Sequence, residues 1–178
     1  MYYLRKLSKR TSLSKIKGVE DVYEIGADLL KQELSTTKNT LSFWKCIDLG
    51  NKKETMKAIL LSTTSIEASQ FIIVDDKLLG KYNIDIDDTE VGCTGYKDHT
   101  DLHVNFCNIT YNKIGKILQL YKEISSNVQL TPVLEKKEVK KYIMEVINDN
   151  MLDREKTRQE LLLSLIHISE PTRLLSIS

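Results

Sequence analysis

Apolar residues in the first half of the chain follow two spacings, one typical of strands and one typical of helices. Residues 2–7 and 40–47 combine β-branched, aromatic and aliphatic side chains, and they predict two strands. The short apolar run of residues 71–74 predicts a third strand, which ends at two aspartates. Apolar positions at helical spacing predict amphipathic helices over 20–34 and 52–65.

The resulting order, β-α-β-α-β, favours a small sheet flanked by helices and joined by right-handed crossovers. The polar stretch of residues 8–18 is typical of a loop. In the second half we expect helices that begin at Thr110, at Thr131-Pro132 and at Asp153. The predicted fold class is therefore α/β, with α+β as the alternative, built from a β-α-β-α-β N-terminal half and a helical C-terminal half.

The end of the chain resembles the translation of a laboratory oligonucleotide. Residues 163–173, LSLIHISEPTR, resemble the conceptual translation of a transposase-type sequencing adapter. We therefore expect residues 163–178 to be an adapter-like read-through tail and not natural protein. Residues 1–162 are then a single α/β domain, which we expect to be truncated at its C-terminus.

Composition narrows the class of protein. The chain has 178 residues, of which 41 % are hydrophobic, enough for a core and too many for a disordered chain. Its 26 basic and 25 acidic residues give a net charge of +1, which does not favour a strongly basic nucleic-acid-binding domain. The basic residues are 21 lysines and 5 arginines, a bias that favours an AT-rich bacterial or phage genome.

The location of the protein follows from the cysteines and from segments that the sequence does not contain. Three cysteines at scattered positions do not suggest a disulfide framework and indicate a reducing compartment. No apolar stretch is long enough for a transmembrane helix, and the N-terminus does not resemble a secretory signal peptide. We therefore expect a cytoplasmic protein with no membrane partner.

The densest set of reactive side chains lies between residues 93 and 107. If residues 98–107 form a helix, His99, His103 and Cys107 lie on one face of it, and Cys93 can fold back toward them. Imidazole and thiolate are the ligands that Zn²⁺ selects. The predicted metal ligands are Cys93, His99, His103 and Cys107, with Asp98 or Asp101 orienting a ligand histidine.

Two observations oppose that interpretation. The spacing of these residues matches no zinc motif, and Thr100 stands where a zinc protease helix has its glutamate. The alternative is an exposed histidine pair with one buried cysteine. Cys93, which lies between Gly92 and Gly95, is also a weaker candidate for a nucleophile.

A second candidate site is the basic N-terminus, where Arg5, Lys6, Lys9 and Arg10 lie close to two tyrosines. Basic side chains beside aromatic rings can bind phosphates and stack on bases, so these four residues are predicted nucleic-acid contacts. The alternative is a solvated edge strand protected by lysine. The acidic residues between 75 and 101 favour a solvated loop over a Mg²⁺ or Ca²⁺ site.

The sequence contains no dinucleotide-binding or P-loop glycine motif and no nucleophile elbow, so it assigns no catalytic residue. No cofactor is predicted, with zinc as the one alternative. The leading hypothesis is a non-enzymatic accessory protein that binds a macromolecule, and a protein is the expected partner. The alternatives are a metal-binding protein or metal-dependent hydrolase, and nucleic-acid binding through the N-terminus.

Overall fold

Six antiparallel strands form the sheet at the centre of the molecule. The computed structural model describes residues 1–8 and 12–169, with side chains as far as residue 166. In space the strands follow the order β4-β5-β2-β1-β3-β6, and every neighbouring pair is antiparallel. The strands are β1 (Tyr2–Lys6), β2 (Leu41–Cys46), β3 (Ser69–Asp75), β4 (Asp85–Asp87), β5 (His103–Cys107) and β6 (Val133–Leu134).

Helices cover both faces of this sheet, which confirms the predicted mixed α/β class. In the described residues the α-helices are α1 (Ser12–Lys17), α2 (Ala27–Glu33), α3 (Lys52–Leu60), α4 (Asp76–Tyr82), α5 (Tyr111–Ile124), α6 (Lys136–Asn148) and α7 (Gln159–Ser169). Two short 3₁₀ helices, Val22–Glu24 and Thr100–Leu102, precede α2 and β5. No helix of the described residues is long and apolar enough to cross a membrane.

The two faces of the sheet carry separate clusters of apolar side chains. Phe43, Ile72 and Phe106 lie on the face covered by α1, α2 and α5, and Phe43 stacks on Phe106 with ring centroids 3.7 Å apart. Trp44 and Phe71 lie on the opposite face, which is covered by α3, α6 and α7. Because successive side chains point to opposite faces, a strand buried on both faces is apolar at every position, as in residues 71–74.

The connections differ from the predicted crossovers. Strands β1 and β2 are neighbours and antiparallel, although α1 and α2 lie between them in the chain. The prediction of right-handed crossovers between parallel strands is therefore wrong. Hydrophobic spacing indicates where strands and helices lie, but it carries no information about strand direction.

Two predicted elements near the N-terminus also differ from the structure. The stretch of residues 8–18 contains helix α1, which buries Leu13 and Ile16 three residues apart on one face. The single helix expected over 20–34 is divided into the 3₁₀ helix and α2, because Ile25 is extended and Gly26 caps α2. This division leaves Tyr23 exposed between Val22 and Ile25, which are both buried.

The C-terminal half contains strands that the apolar spacing did not indicate. Residues 103–107 form β5, so the premise that residues 98–107 are helical is wrong. Pro132 precedes β6, and helix α6 begins later, where Glu135 and Glu138 form a capping box. The predicted N-cap at Thr131 is therefore wrong.

Helix α7 continues through the boundary expected after residue 162. Leu161 and Leu165 are both buried in the cluster beneath α3 and α6. The division of the chain into residues 1–162 and 163–178 stays a prediction, and residues 170–178 lie outside the described part of the chain.

Candidate functional site

The two histidines of the predicted metal cluster contact aromatic rings. The ring of His99 stacks flat on Tyr96, with centroids 3.9 Å apart, and its Nδ1 lies 2.7 Å from the carbonyl oxygen of Lys97. His103 packs edge-on against Trp44, with centroids 5.4 Å apart. Each imidazole is therefore held by a ring of its own.

The two cysteines of that cluster have different surroundings. Cys107 is four residues beyond His103 on β5, which separates their Cα atoms by about 13 Å along the strand. Cys93 is exposed, and its Sγ lies 3.7 Å from the carbonyl oxygen of Lys156. Within the described residues, no group of three or more His, Cys, Asp or Glu side chains is arranged to hold a metal ion. The zinc site stays a prediction that metal analysis of purified protein would test.

The glycines on either side of Cys93 have a packing role. A Cβ on Gly92 would lie 2.5 Å from the Cβ of His103, and one on Gly95 would lie 3.0 Å from the Cβ of Thr157. The buried Thr94 between them donates a hydrogen bond to the carbonyl of Ala58, 2.6 Å away. The segment therefore needs glycine in order to pass between α3 and the turn before α7.

Asp98 and Asp101, the predicted orienting residues, are both exposed in the turn that leads to β5. The acidic residues before them are engaged within the fold. Lys113 lies 2.5 Å from Asp85, and its hydrogen bond holds the pKa of that carboxyl below its usual range. Lys45 bonds Asp88 at 2.9 Å in the same way.

The basic N-terminus is also engaged within the fold as far as the structure describes it. The guanidinium of Arg5 donates to the backbone carbonyls of Ser42 and Glu33, at 2.9 and 3.1 Å. The ammonium of Lys6 lies 3.1 Å from Glu67. The other two predicted contacts, Lys9 and Arg10, lie outside the described residues, so nucleic-acid binding through this segment stays a prediction.

A network of charged groups joins α3 to α6. The ammonium of Lys57, whose side chain is only 6 % exposed, lies 3.0 Å from Glu54 and 3.2 Å from Glu145. The hydroxyl of Tyr96 donates to Glu54, and burial raises the pKa of that tyrosine well above its usual range. Lys53 bonds Glu145 at 2.7 Å on the outer side. The network pairs opposite charges and thereby holds the two helices together.

A groove lies on the opposite face of the molecule. It has a volume of about 640 Å³ and runs between the outer face of α5 and the segment that contains the 3₁₀ helix and the start of α2. Its floor is apolar and consists of Val22, Ile25, Leu30, Ile114 and Leu118. These side chains also contact the core beneath, so the sheet holds the floor in place.

Two tyrosines stand at the rim of this groove with almost their whole side chains in solvent. Tyr23 is 82 % exposed and Tyr111 is 89 % exposed, and both line the groove. A tyrosine has a large apolar ring and a polar hydroxyl, and such side chains are enriched at the centres of protein interfaces. Two of them beside one apolar floor form a surface suited to contact with another molecule.

The middle of the groove is opened by a glycine. Gly115 lies inside α5, and a Cβ built on it would meet nothing within 4 Å. On the helical repeat, Gly115 follows Tyr111 by one turn, so both residues face the groove. Glycine within a helix costs about 1 kcal/mol relative to alanine. No neighbouring group requires glycine at this position, because the space that a Cβ would occupy is empty.

The groove continues into a second cleft, since Val22 and Gln119 line both. This cleft has a volume of about 390 Å³ and carries three carboxylates and one ammonium group. Glu123 is paired with Lys81 at 2.7 Å, whereas Glu20 and Asp21 are exposed at the surface. The combined trough is apolar at one end and acidic at the other.

The sequence predictions did not include this trough. Gly115 is a lone glycine inside a helical pattern, and such a glycine is a recognisable signal of a special role. Tyr23 and Tyr111 give no such signal, because each stands seven residues before an apolar residue of its predicted helix, Leu30 and Leu118, and so falls on the apolar side. The approach of the two segments across the groove is a tertiary contact that no local pattern shows.

In comparisons with known proteins, the chain matches no protein-family model, no curated protein and no solved structure. The trough must therefore be interpreted from its own geometry and chemistry.

Proposed function

We propose that this protein binds a second protein through the groove on α5, and that it acts as a non-enzymatic accessory protein. The observation that carries the proposal is Gly115, an unobstructed notch in the middle of an otherwise regular helix, between an apolar floor and two exposed tyrosines. Such a notch admits a side chain or a backbone segment of a partner. An apolar floor with aromatic walls is the chemistry that stabilises protein contacts.

The charges around the groove favour a protein over a nucleic acid. Among the described residues, Lys116 is the one charged side chain that lines the groove, and the adjoining cleft is mainly acidic. A nucleic-acid site needs several basic groups to neutralise phosphates. An apolar peptide segment needs none.

The test is a selection of peptides from a displayed library of random dodecapeptides, with purified protein as the target. The length of α5 that faces the trough, from Tyr111 to Glu123, is about 18 Å, a little over three helical turns and the length of a helical dodecapeptide. A dodecapeptide can therefore span the trough as a helix. Selected peptides are then measured by fluorescence anisotropy against wild-type protein and two leucine variants.

The first variant, Gly115→Leu, fills the notch. The matched control is Gly80→Leu in α4, where a Cβ also meets nothing within 4 Å but the groove is not involved. We expect apolar peptides that bind the wild type and the control with equal affinity and lose at least tenfold in affinity for Gly115→Leu. Tyr111→Ala, which removes a rim aromatic, is expected to weaken binding as well.

Three outcomes contradict the proposal. Peptides that bind Gly115→Leu as well as the wild type would show that the groove is not the site. Binding of a labelled single-stranded oligonucleotide, abolished by Gly115→Leu, would make the trough a nucleic-acid site. Self-association in analytical ultracentrifugation that only Gly115→Leu abolishes would make a second copy of this chain the occupant.

The location and source of the protein belong to the same proposal. We infer a cytoplasmic protein of bacterial or phage origin. The three free thiols support a reducing compartment, and the lysine-rich composition supports an AT-rich genome. Fractionation of the source cells tests the location, and recovery in an oxidising compartment would contradict it.

A further inference from the structure

We infer that the partner segment carries a basic side chain next to its apolar residues, and that this side chain enters the acidic cleft beside the groove. The inference rests on the proposed function and specifies the chemistry of the partner. It follows from the continuity of the two depressions, which share Val22 and Gln119. A segment long enough to fill the groove reaches the cleft.

The charges of the cleft are of two kinds. Glu123 accepts hydrogen bonds from Lys81 and from the Tyr82 hydroxyl, at 2.7 and 2.5 Å, and these bonds hold its pKa below the usual range. The ammonium of Lys122 donates to the backbone carbonyl of Glu20. The pairing with Lys81 leaves Glu123 little attraction for a ligand. Lys122 keeps its positive charge, because a backbone carbonyl is a neutral acceptor, and this charge offsets one of the two other carboxylates.

Glu20 and Asp21 provide the remaining negative charge. Neither carboxylate forms an ion pair among the described residues, and both side chains are exposed where the cleft opens. Asp21 also accepts a hydrogen bond from the backbone N–H of Tyr23 at 3.0 Å. That bond places its carboxylate at the junction of the cleft with the groove. The groove end of the trough therefore favours apolar side chains, and the cleft end favours a cation.

The test uses the peptides selected on wild-type protein. We expect Lys or Arg to be enriched at one end of the selected sequences, next to the apolar positions. The double variant Glu20→Gln/Asp21→Asn removes both charges and keeps an acceptor for the Tyr23 N–H, since asparagine caps as well as aspartate. The matched control is Glu24→Gln, an exposed neighbour that does not line the cleft.

We expect the double variant to bind a selected peptide about threefold to tenfold more weakly, as for the loss of one or two exposed ion pairs. The control should bind as the wild type does. Replacing the basic residue of the peptide by methionine should weaken binding to the wild type and have no effect on binding to the double variant. High salt should reduce the difference between the two proteins.

The outcomes separate this inference from the proposed function. Peptides that lose affinity for Gly115→Leu but bind the double variant as tightly as the wild type would overturn the inference and leave the groove as the site. An absence of Lys and Arg from such peptides would overturn it in the same way. Peptides that do not distinguish Gly115→Leu from the wild type would overturn both.

Discussion

Glycine-to-alanine substitutions should raise the stability of the protein at two positions and lower it at two others. A Cβ on Gly115 or Gly80 meets nothing within 4 Å, and both residues lie inside helices. Alanine is favoured over glycine in a helix by about 1 kcal/mol, so Gly115→Ala and Gly80→Ala should each stabilise the fold by roughly 0.5–1 kcal/mol. For a chain of this size, 1 kcal/mol corresponds to a Tm change of about 2–4 °C.

The same change should be harmful in the segment around Cys93. A Cβ on Gly92 would lie 2.5 Å from the Cβ of His103, and one on Gly95 would collide with Thr157. Neither neighbour can move without displacing the backbone or a short side chain. Overpacking of this kind costs about 1–3 kcal/mol, so Gly92→Ala and Gly95→Ala should lower the Tm.

The assay is thermal and urea denaturation of the four variants, monitored by far-ultraviolet circular dichroism. The space above Gly115 is the feature on which the proposed groove depends. If Gly115→Ala destabilised the protein as Gly92→Ala does, that space would be filled in solution, and the reasoning would be refuted. If Gly80→Ala raised the stability of the protein and Gly115→Ala lowered it, only the description of the groove would be wrong.

Three further predictions concern buried polar groups. The hydroxyl of Tyr121 is fully buried and has no hydrogen-bond partner among the described residues, and burial raises its pKa to about 12. Tyr121→Phe should therefore stabilise the protein by about 1–3 kcal/mol in urea denaturation, and a loss would reveal a partner for the hydroxyl. Lys57→Met should destabilise the protein by about 1–3 kcal/mol, because it keeps the packing of the side-chain stem but leaves two carboxylates without their cation. Lys57→Arg, which keeps the positive charge, should lose less, and equal losses would contradict the network. Hydrogen bonds from Lys53 and Lys57 lower the pKa of Glu145. The stability that Glu145 contributes is therefore complete above the ordinary glutamate pKa and is lost as the pH falls through the lowered value. Glu145→Gln should flatten the acid limb of a plot of stability against pH, and an unchanged limb would contradict this assignment.

The first three strands and the mixed fold class were predictable because they follow from local patterns. The strands at 41–46 and 69–75 carry apolar side chains on both faces, and burial between two helical layers is the physical reason. Helix α5 also begins after Thr110, as its spacing indicates. These features depend on neighbours along the chain, and the sequence shows them directly.

The direction of the strands and the content of residues 98–107 depend on partners distant in the chain. His103 and Cys107 occur at a spacing that suits a helix face, but the segment pairs with β2 and becomes a strand. Strand pairing of this kind overrides a local spacing. The metal cluster is predicted from a helix that does not form, so the zinc site stays a prediction without that support.

The groove was missed for a related reason. Gly115 departs from the pattern of its own helix, whereas Tyr23 and Tyr111 occur at helical spacing from apolar residues, so the sequence does not mark them as exposed. Their meaning appears only when the 3₁₀ helix packs beside α5 and places the three residues around one depression. Helical glycines therefore merit attention in sequences that lack catalytic motifs.

The most direct test of the central claim is a map of amide chemical-shift changes when a selected dodecapeptide is added to ¹⁵N-labelled wild-type protein. The expected changes are confined to residues 20–30 and 111–123, which form the trough. Changes centred on Arg5 and Lys6, or on residues 93–107, would place the binding site on one of the other predicted surfaces. Either result would contradict the account of the groove.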